Sequence, residues 1–207
     1  MDKFDGPVIV DVLSDGQEIG ADLSLTSVDV QSEITGEARA TLRISDGRLG
    51  DPNFNWTDGA EFQVGTKITI KGGYDGIRWT IFEGSVMAQR VVFNPASGIS
   101  LEVICAHHPI SPNVEHKLSK PVAALRLEED MLDLVATTEQ PRSKGKRPAS
   151  GTVSYPGSGE IVAGDTIEMS GIGKVFSGPA LVVRISHQMS DGQWITEAQF
   201  DAPQSGD

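Results

Sequence analysis

The sequence predicts a mainly β protein made of two related antiparallel, barrel-like units joined by one helix. Three observations predict it. Short segments alternate apolar and polar residues, as in Ala38 to Ile44, where Ala38, Ala40, Leu42 and Ile44 share one face and Arg39, Thr41 and Arg43 the other. Turn signals such as Asp46-Gly47 and Ser190-Asp191-Gly192 punctuate these segments. A loose grammar of strand, G-[TD]-x-I-x-[IM], glycine turn and long strand occurs twice, as GTKITIKGG and GDTIEMSGIG.

The elements follow in chain order. Pro7 to Leu13 reads as a strand closed by Ser14-Asp15-Gly16. Ile19 to Val30 alternates loosely, and Ala38 to Ile44 cleanly. Asp46-Gly47 and Asp51-Pro52-Asn53 mark a loop. Gly65 to Lys71 is a strand, and Gly72-Gly73-Tyr74-Asp75-Gly76 reads as its hairpin turn. Ile77 to Phe82 returns, Glu83-Gly84 reads as a break, and Ser85 to Phe93 continues. Gly98 to Ala106 alternates Ile99, Leu101, Val103 and Cys105. Val122 to Ala136 is rich in helix formers and follows Pro121, which suits a first helical turn, so the spacing predicts a helix there. Val122, Leu125, Leu132, Val135 and Ala136 would share its face, widened by Leu127, Met131 and Leu134. Strands resume at Thr152 to Tyr155, Thr166 to Met169, Leu181 to Gln188 and Gln193 to Phe200. The predicted organisation is a first barrel over residues 1–116, a helix and basic linker over 117–149, and a second, partial barrel over 150–207.

Composition narrows the function classes. The 207 residues carry a formal charge of −12, which opposes broad nucleic-acid binding because phosphate neutralisation needs an excess of Lys and Arg. A single cysteine rules out an intrachain disulfide. The N-terminus lacks an apolar signal core, and no run approaches the ~18 apolar residues of a membrane helix. The expectation is a chain made in the cytoplasm without a signal peptide and without a membrane span.

Candidate chemistry is sparse. The stretch SGIGKVFSG, residues 170–178, fails the phosphate-loop spacing, because Glu168 and Val175 stand where a glycine and a hydroxyl are needed. It also lacks the third glycine of a dinucleotide loop, with Phe176 in that place, and a β-branched segment follows instead of a helix. It reads as a turn between strands. Cys105 continues the inward pattern of Ile99, Leu101 and Val103 and reads as core, with His107 and His108 beside it. His107, His108, His116 and His187 offer no zinc framework. Glu128, Glu129, Asp130 and Asp133 read as a solvated helix face. No G-x-S-x-G elbow or H-E-x-x-H pair occurs. The basic segment Arg142, Lys144, Lys146 and Arg147 reads as a solvated loop or a contact for an acidic neighbouring subunit. A sugar-binding module would need an aromatic platform, for which Trp56, Tyr74 and Trp79 are the candidates among only 3 Trp and 2 Tyr. A cell-wall hydrolase would need nucleophile or metal motifs that the sequence does not show. The expectation is a protein that is not an enzyme and takes no cofactor or metal.

Several segments carry a resemblance. EARATLRISDG, FQVGTKITIKGGYDG, TIFEGSVMAQRVVF and ISLEVICA resemble the N-terminal barrel of phage-type baseplate hub proteins, the family of late-control D proteins and of the hub part of VgrG spikes. In the second half Gly164-Asp165, Ile167, Met169, Gly171, Gly173, Phe176, Gly178, His187, Asp191-Gly192, Trp194, Thr196 and Glu197 resemble that family's closing pattern. The resemblance implies that Gly171, Gly173, Phe176, Gly178 and Trp194 are turn and core residues. It further implies an assembly role in a phage tail or injection apparatus, with a homotrimer joining a hexameric tail tube to a trimeric spike among baseplate components. A hexameric tube-like ring is the alternative. The sequence has no separate domain between the two halves and ends soon after the second, so the resemblance implies a minimal hub whose spike is another polypeptide, or a shortened form of a hub.

Overall fold

The computed structural model describes residues 6–20, 22–47, 54–94, 98–107, 118–138, 148–174 and 176–203. Its elements are β1 (Ile9–Ser14), β2 (Gln17–Glu18), β3 (Leu25–Glu33), β4 (Ala38–Ser45), α1 (Asn55–Asp58), β5 (Lys67–Tyr74), β6 (Ile77–Asn94), β7 (Gly98–His107), β8 (Ala123–Arg126), β9 (Asp133–Thr138), β10 (Pro148–Pro156), β11 (Thr166–Ser170), β12 (Gly178–Ser190) and β13 (Gln193–Pro203). Among the described residues the molecule is nearly all antiparallel β with one short helix, the mainly β class the sequence predicts.

The sheet runs β2-β1-β5-β6-β7-β4-β3-β12-β13-β10-β9, with β11 on β12 and β8 on β11. Each half follows one path. The first reads β1-β5-β6-β7-β4-β3 and the second β8-β11-β12-β13-β10-β9, which is the same order when strands are numbered within each half and the two-residue β2 is left aside. Only the outermost pair differs, since β1 is antiparallel to β5 and β8 is parallel to β11. The duplication reaches single hydrogen bonds. Gly65 N–H donates to the Val86 carbonyl at 2.8 Å and Val86 N–H to that of Thr66 at 2.9 Å. In the second half Gly164 N–H donates to Val182 and Val182 N–H to Asp165, both at 2.8 Å. Both glycines lie at positive φ, +96° and +98°. A bulge then follows in each half, between Val86 and Ala88 against β7 and between Val182 and Arg184 against β13.

Two apolar cores fill the halves. Leu42, Ile44, Phe62, Ile68, Ile70, Leu101 and Val103 centre the first, and Val153, Ile167, Met169, Val182, Ile185 and Phe200 the second. The halves meet where β12 lengthens. Its first residues pair with β11, and Arg184 to Ser190 pair with β3. Met189 and Trp194, at the tip of the β12–β13 hairpin, thereby enter the first core.

Three expectations are corrected. The predicted helix over Val122 to Ala136 is two strands, β8 and β9, joined by a turn in which Glu128 has φ +68°. Burial alternates with period two, with Leu125 inward between Ala124 and Arg126, and Leu134 and Ala136 more covered than Asp133, Val135 and Thr137. Strand pairing with β11 and β10 overrode local helix propensity, because it satisfies backbone groups along both strands and closes the second core with Leu125. Next, Gly72, Gly73 and Tyr74 belong to β5, and the turn is Asp75-Gly76. A Cβ at Gly72 would collide with the Met189 methyl and crowd the Trp194 ring, and one at Gly73 would strike the Ile77 carbonyl. Last, Glu83-Gly84 does not interrupt β6. Gly84 lies within the strand because the Phe82 ring and the Ala106 carbonyl fill the space of a side chain.

Candidate functional site: a continuous sheet with two open edges

From the second half of β6 the sheet continues without a break through β7, β4, β3, β12, β13 and β10 to β9. Alternation gives this run one face packed on the cores and one outer face of mixed polar and apolar residues. A row across five strands shows the second face: Ile104, Thr41, Asp29, Gln188 and Ile195 stand in successive register. Beside it Glu102 sits between Arg90 on β6 and Arg43 on β4. Arg43 Nη2 donates to Glu102 Oε1 at 2.7 Å, and Arg90 donates to Oε2 through Nε at 2.6 Å and also through Nη2. Hydrogen bonds from Arg43, with those from Arg90 and both guanidinium charges, hold the Glu102 carboxyl below its ordinary range against the opposing effect of burial.

The run ends in two unpaired borders. β9 pairs only with β10, and Met87 to Phe93 of β6 pair only with β7, among the described residues. Unpaired strand edges present rows of N–H and C=O groups that template pairing with another strand. Exposed apolar side chains gather at both borders: Met87, Val91 and Phe93 on β6, and Leu132 and Val135 at β9.

Trp194 anchors the joint between the halves. Its ring stacks on Tyr74 at 5.8 Å and meets Trp79 edge-on at 5.9 Å and His187 at 5.6 Å. Gly157 admits it, since a Cβ there would overlap the indole. His187 Nδ1 lies 3.0 Å from the Thr196 hydroxyl and 3.4 Å from the indole nitrogen of Trp194. Burial pushes His187 down to about 4, so it stays neutral.

Residues 171–177 connect β11 to β12. Gly171, Gly173 and Gly178 have φ of +80°, +81° and +129°. Phe176 is half-buried against the second core, at its rim instead of its centre. Arg142, Lys144, Lys146 and Arg147, like His108 and His116, lie outside the described residues.

Candidate chemical groups are not brought together. Cys105 is fully buried in the first core, and burial pushes its thiol up to about 12, which leaves no thiolate nucleophile. His107 is exposed at the end of β7. Glu128, Glu129, Asp130 and Asp133 line the β8–β9 turn and the start of β9, where Asp130 accepts from Arg126 N–H at 2.9 Å and Glu129 pairs with the Arg126 guanidinium. Among the described residues no three His, Cys, Asp or Glu side chains gather as a metal site, and no helix is long and apolar enough to cross a membrane. The aromatic trio does not form a platform: Trp56 packs edge-on against Phe62, while Tyr74 and Trp79 pack on Trp194. Sequence reading missed Asp46, whose buried carboxylate accepts from the N–H groups of Trp56 and Thr57 at 3.0 and 2.7 Å and pins α1. The Asp46-Gly47 pair read only as a turn signal.

Comparison with known proteins adds family and fold. The family model described as Alg8 N-terminal domain matches residues 5–120, more than half of the chain. No curated protein matches by sequence. Among solved structures, the 43 kDa tail protein of prophage MuSo2 from Shewanella oneidensis superposes with a TM-score of 0.64 at 6% identity, covering 95% of this chain and 99% of its own. A tail protein from Neisseria meningitidis MC58 gives 0.60 at 9% identity, covering 94% and 96%. The E. coli c3393 protein, described as a component of the type VI secretion system with structural similarity to the T4 bacteriophage tail proteins gp27 and gp5, gives 0.59 at 8% identity, covering 94% and 77%. At these identities the likeness is one of fold.

Proposed function

The chain belongs to the Alg8 N-terminal domain family, and from that premise and the shared fold we propose that it is a structural baseplate hub joining a hexameric tail tube to a trimeric spike in a contractile tail or injection system. The observation that carries this reading is the duplication. Two units of one strand order lie in a single chain, so three chains present six such units to one neighbour and a threefold arrangement to another. The tail proteins of similar fold, and a described type VI secretion component among them, support a tail role.

In this role the chain transmits force and matches symmetry, and needs neither cofactor nor chemistry. The division after residue 116 separates the two tube-like units. Gly171, Gly173, Gly178 and Phe176 shape one connection of the second unit, and Trp194 locks it to the first. Arg142, Lys144, Lys146 and Arg147 would meet acidic surface on a neighbouring subunit or on the tube, a contact weakened by salt. Electron microscopy of assembled particles carrying a tag on this chain tests the proposal. Density for three copies at one end of the tube, next to the spike, is expected. Label along the whole tube, as for a tube-like subunit, or label absent from the particle would overturn it.

A further inference from the structure

The duplicated fold contains one inter-unit junction within the chain and, among the described residues, leaves both halves of the same junction open at its borders. The hydrogen-bonded Gly65–Val86 and Gly164–Val182 pairs, and the bulges that follow them, make Val86 the counterpart of Val182 and Ala88 that of Arg184. Residues 88–94 of β6 therefore correspond to residues 184–190 of β12, the stretch that pairs with β3. On the other side, Ala40 faces Cys105 and Gly151 faces Phe200, at matching distances from the two bulges. Val30 faces Ala40 and Ala136 faces Gly151. Val28 and Val30 of β3 thus correspond to Leu134 and Ala136 of β9.

We infer that β9 of one copy of this chain pairs antiparallel with residues 89–93 of β6 of the next copy, repeating between molecules the β3–β12 junction within the molecule. Transfer of the intrachain register sets Val91 opposite Ala136, Val92 opposite Val135, and Phe93 opposite Leu134, as His187 faces Val30, Gln188 faces Asp29 and Met189 faces Val28.

Side-chain exposure supports the transfer. His187 and Met189, covered at the intrachain junction, are each 4% exposed, whereas their counterparts Val91 and Phe93 are 50% and 55% exposed. These two residues continue the core-facing alternation of β6 yet lack a covering strand, and the partner border supplies Leu134 and Ala136 for them. Charge does not oppose the contact, for the three paired positions on each strand are uncharged. The two borders differ, so the contact is head-to-tail and generates a ring or an open chain of copies, not a closed twofold pair.

The inference rests on the self-association contained in the proposed function and names the surfaces that perform it. The test is cross-linking of the full-length chain. Val92→Cys and Val135→Cys replace residues on the outer face, opposite one another in the transferred register, and Cys105 is buried. Mild oxidation of the double variant is expected to give covalent multimers, and a mixture of the two single variants a dimer linked between positions 92 and 135 by peptide mass spectrometry. Each single variant alone should stay uncross-linked. Phe93→Asp, at a side chain exposed in the isolated chain, is expected to weaken self-association about tenfold or more, with the Tm of the dilute, dissociated chain unchanged. Absence of a 92–135 link, a link between two copies of position 92, or undiminished association of Phe93→Asp would overturn the junction. A chain that cross-links as expected but is absent from the tube end would overturn the hub reading and leave the junction standing.

Discussion

Trp194 joins three aromatic neighbours from both halves of the sequence, and its space is made by two glycines, Gly72 and Gly157. Trp194→Ala should therefore cost about 3–5 kcal/mol, read as a lowered urea midpoint. Gly157→Ala should cost about 1–3 kcal/mol by forcing the indole aside. His187 gives the joint a pH dependence. Its pKa falls from 6.5 to about 4 on folding, so between these values the unfolded chain binds the proton and the folded chain does not. Stability is then full above about pH 6.5 and falls as pH drops toward 4, by up to about 3 kcal/mol. Urea unfolding at pH 7 and pH 5 should show the loss, and His187→Gln should lessen it. Equal pH dependence of the wild type and the variant would contradict the assignment. The sequence singled out Trp194 and His187 by pattern, but nothing local reveals that Trp194 would enter the first core, because that contact depends on how far β12 extends.

At the scale of elements, the strands with clean alternation were legible in the sequence, β4 and β7 above all, because a sheet with one face on a core imposes period two. The segment 122–136 was not. Its composition favours a helix, and the pairing that wins lies with residues 148–156 and 166–170, which no local window contains. The two readings differ in what they bury. A helix would cover Leu125 and Leu132 alike, whereas the strands cover Leu125 at 6% exposure and leave Leu132 at 59%. Leu125→Ala should cost about 2–4 kcal/mol and Leu132→Ala less than about 0.5 kcal/mol in chemical denaturation. Equal losses at both positions would contradict the strand assignment. Phe176, on the connection from β11 to β12, is half-buried, so Phe176→Ala should cost about 1–2 kcal/mol, below a full core truncation.

At the scale of the whole molecule, the recurrence of GTKITI and GDTIEM marked a duplication that the structure extends to strand order, bulges and single hydrogen bonds. The sequence could not show that the two units share one sheet, because the β3–β12 pairing joins residues far apart in the chain. A doubled unit with one internal junction and, among the described residues, open borders at β6 and β9 is suited to forming a ring in which few copies supply many equivalent units. Native mass spectrometry of the purified full-length chain tests it most directly. A trimer is expected, dissociating in Phe93→Asp. A chain that remains monomeric at every concentration, or one that forms six-copy rings, would contradict the account.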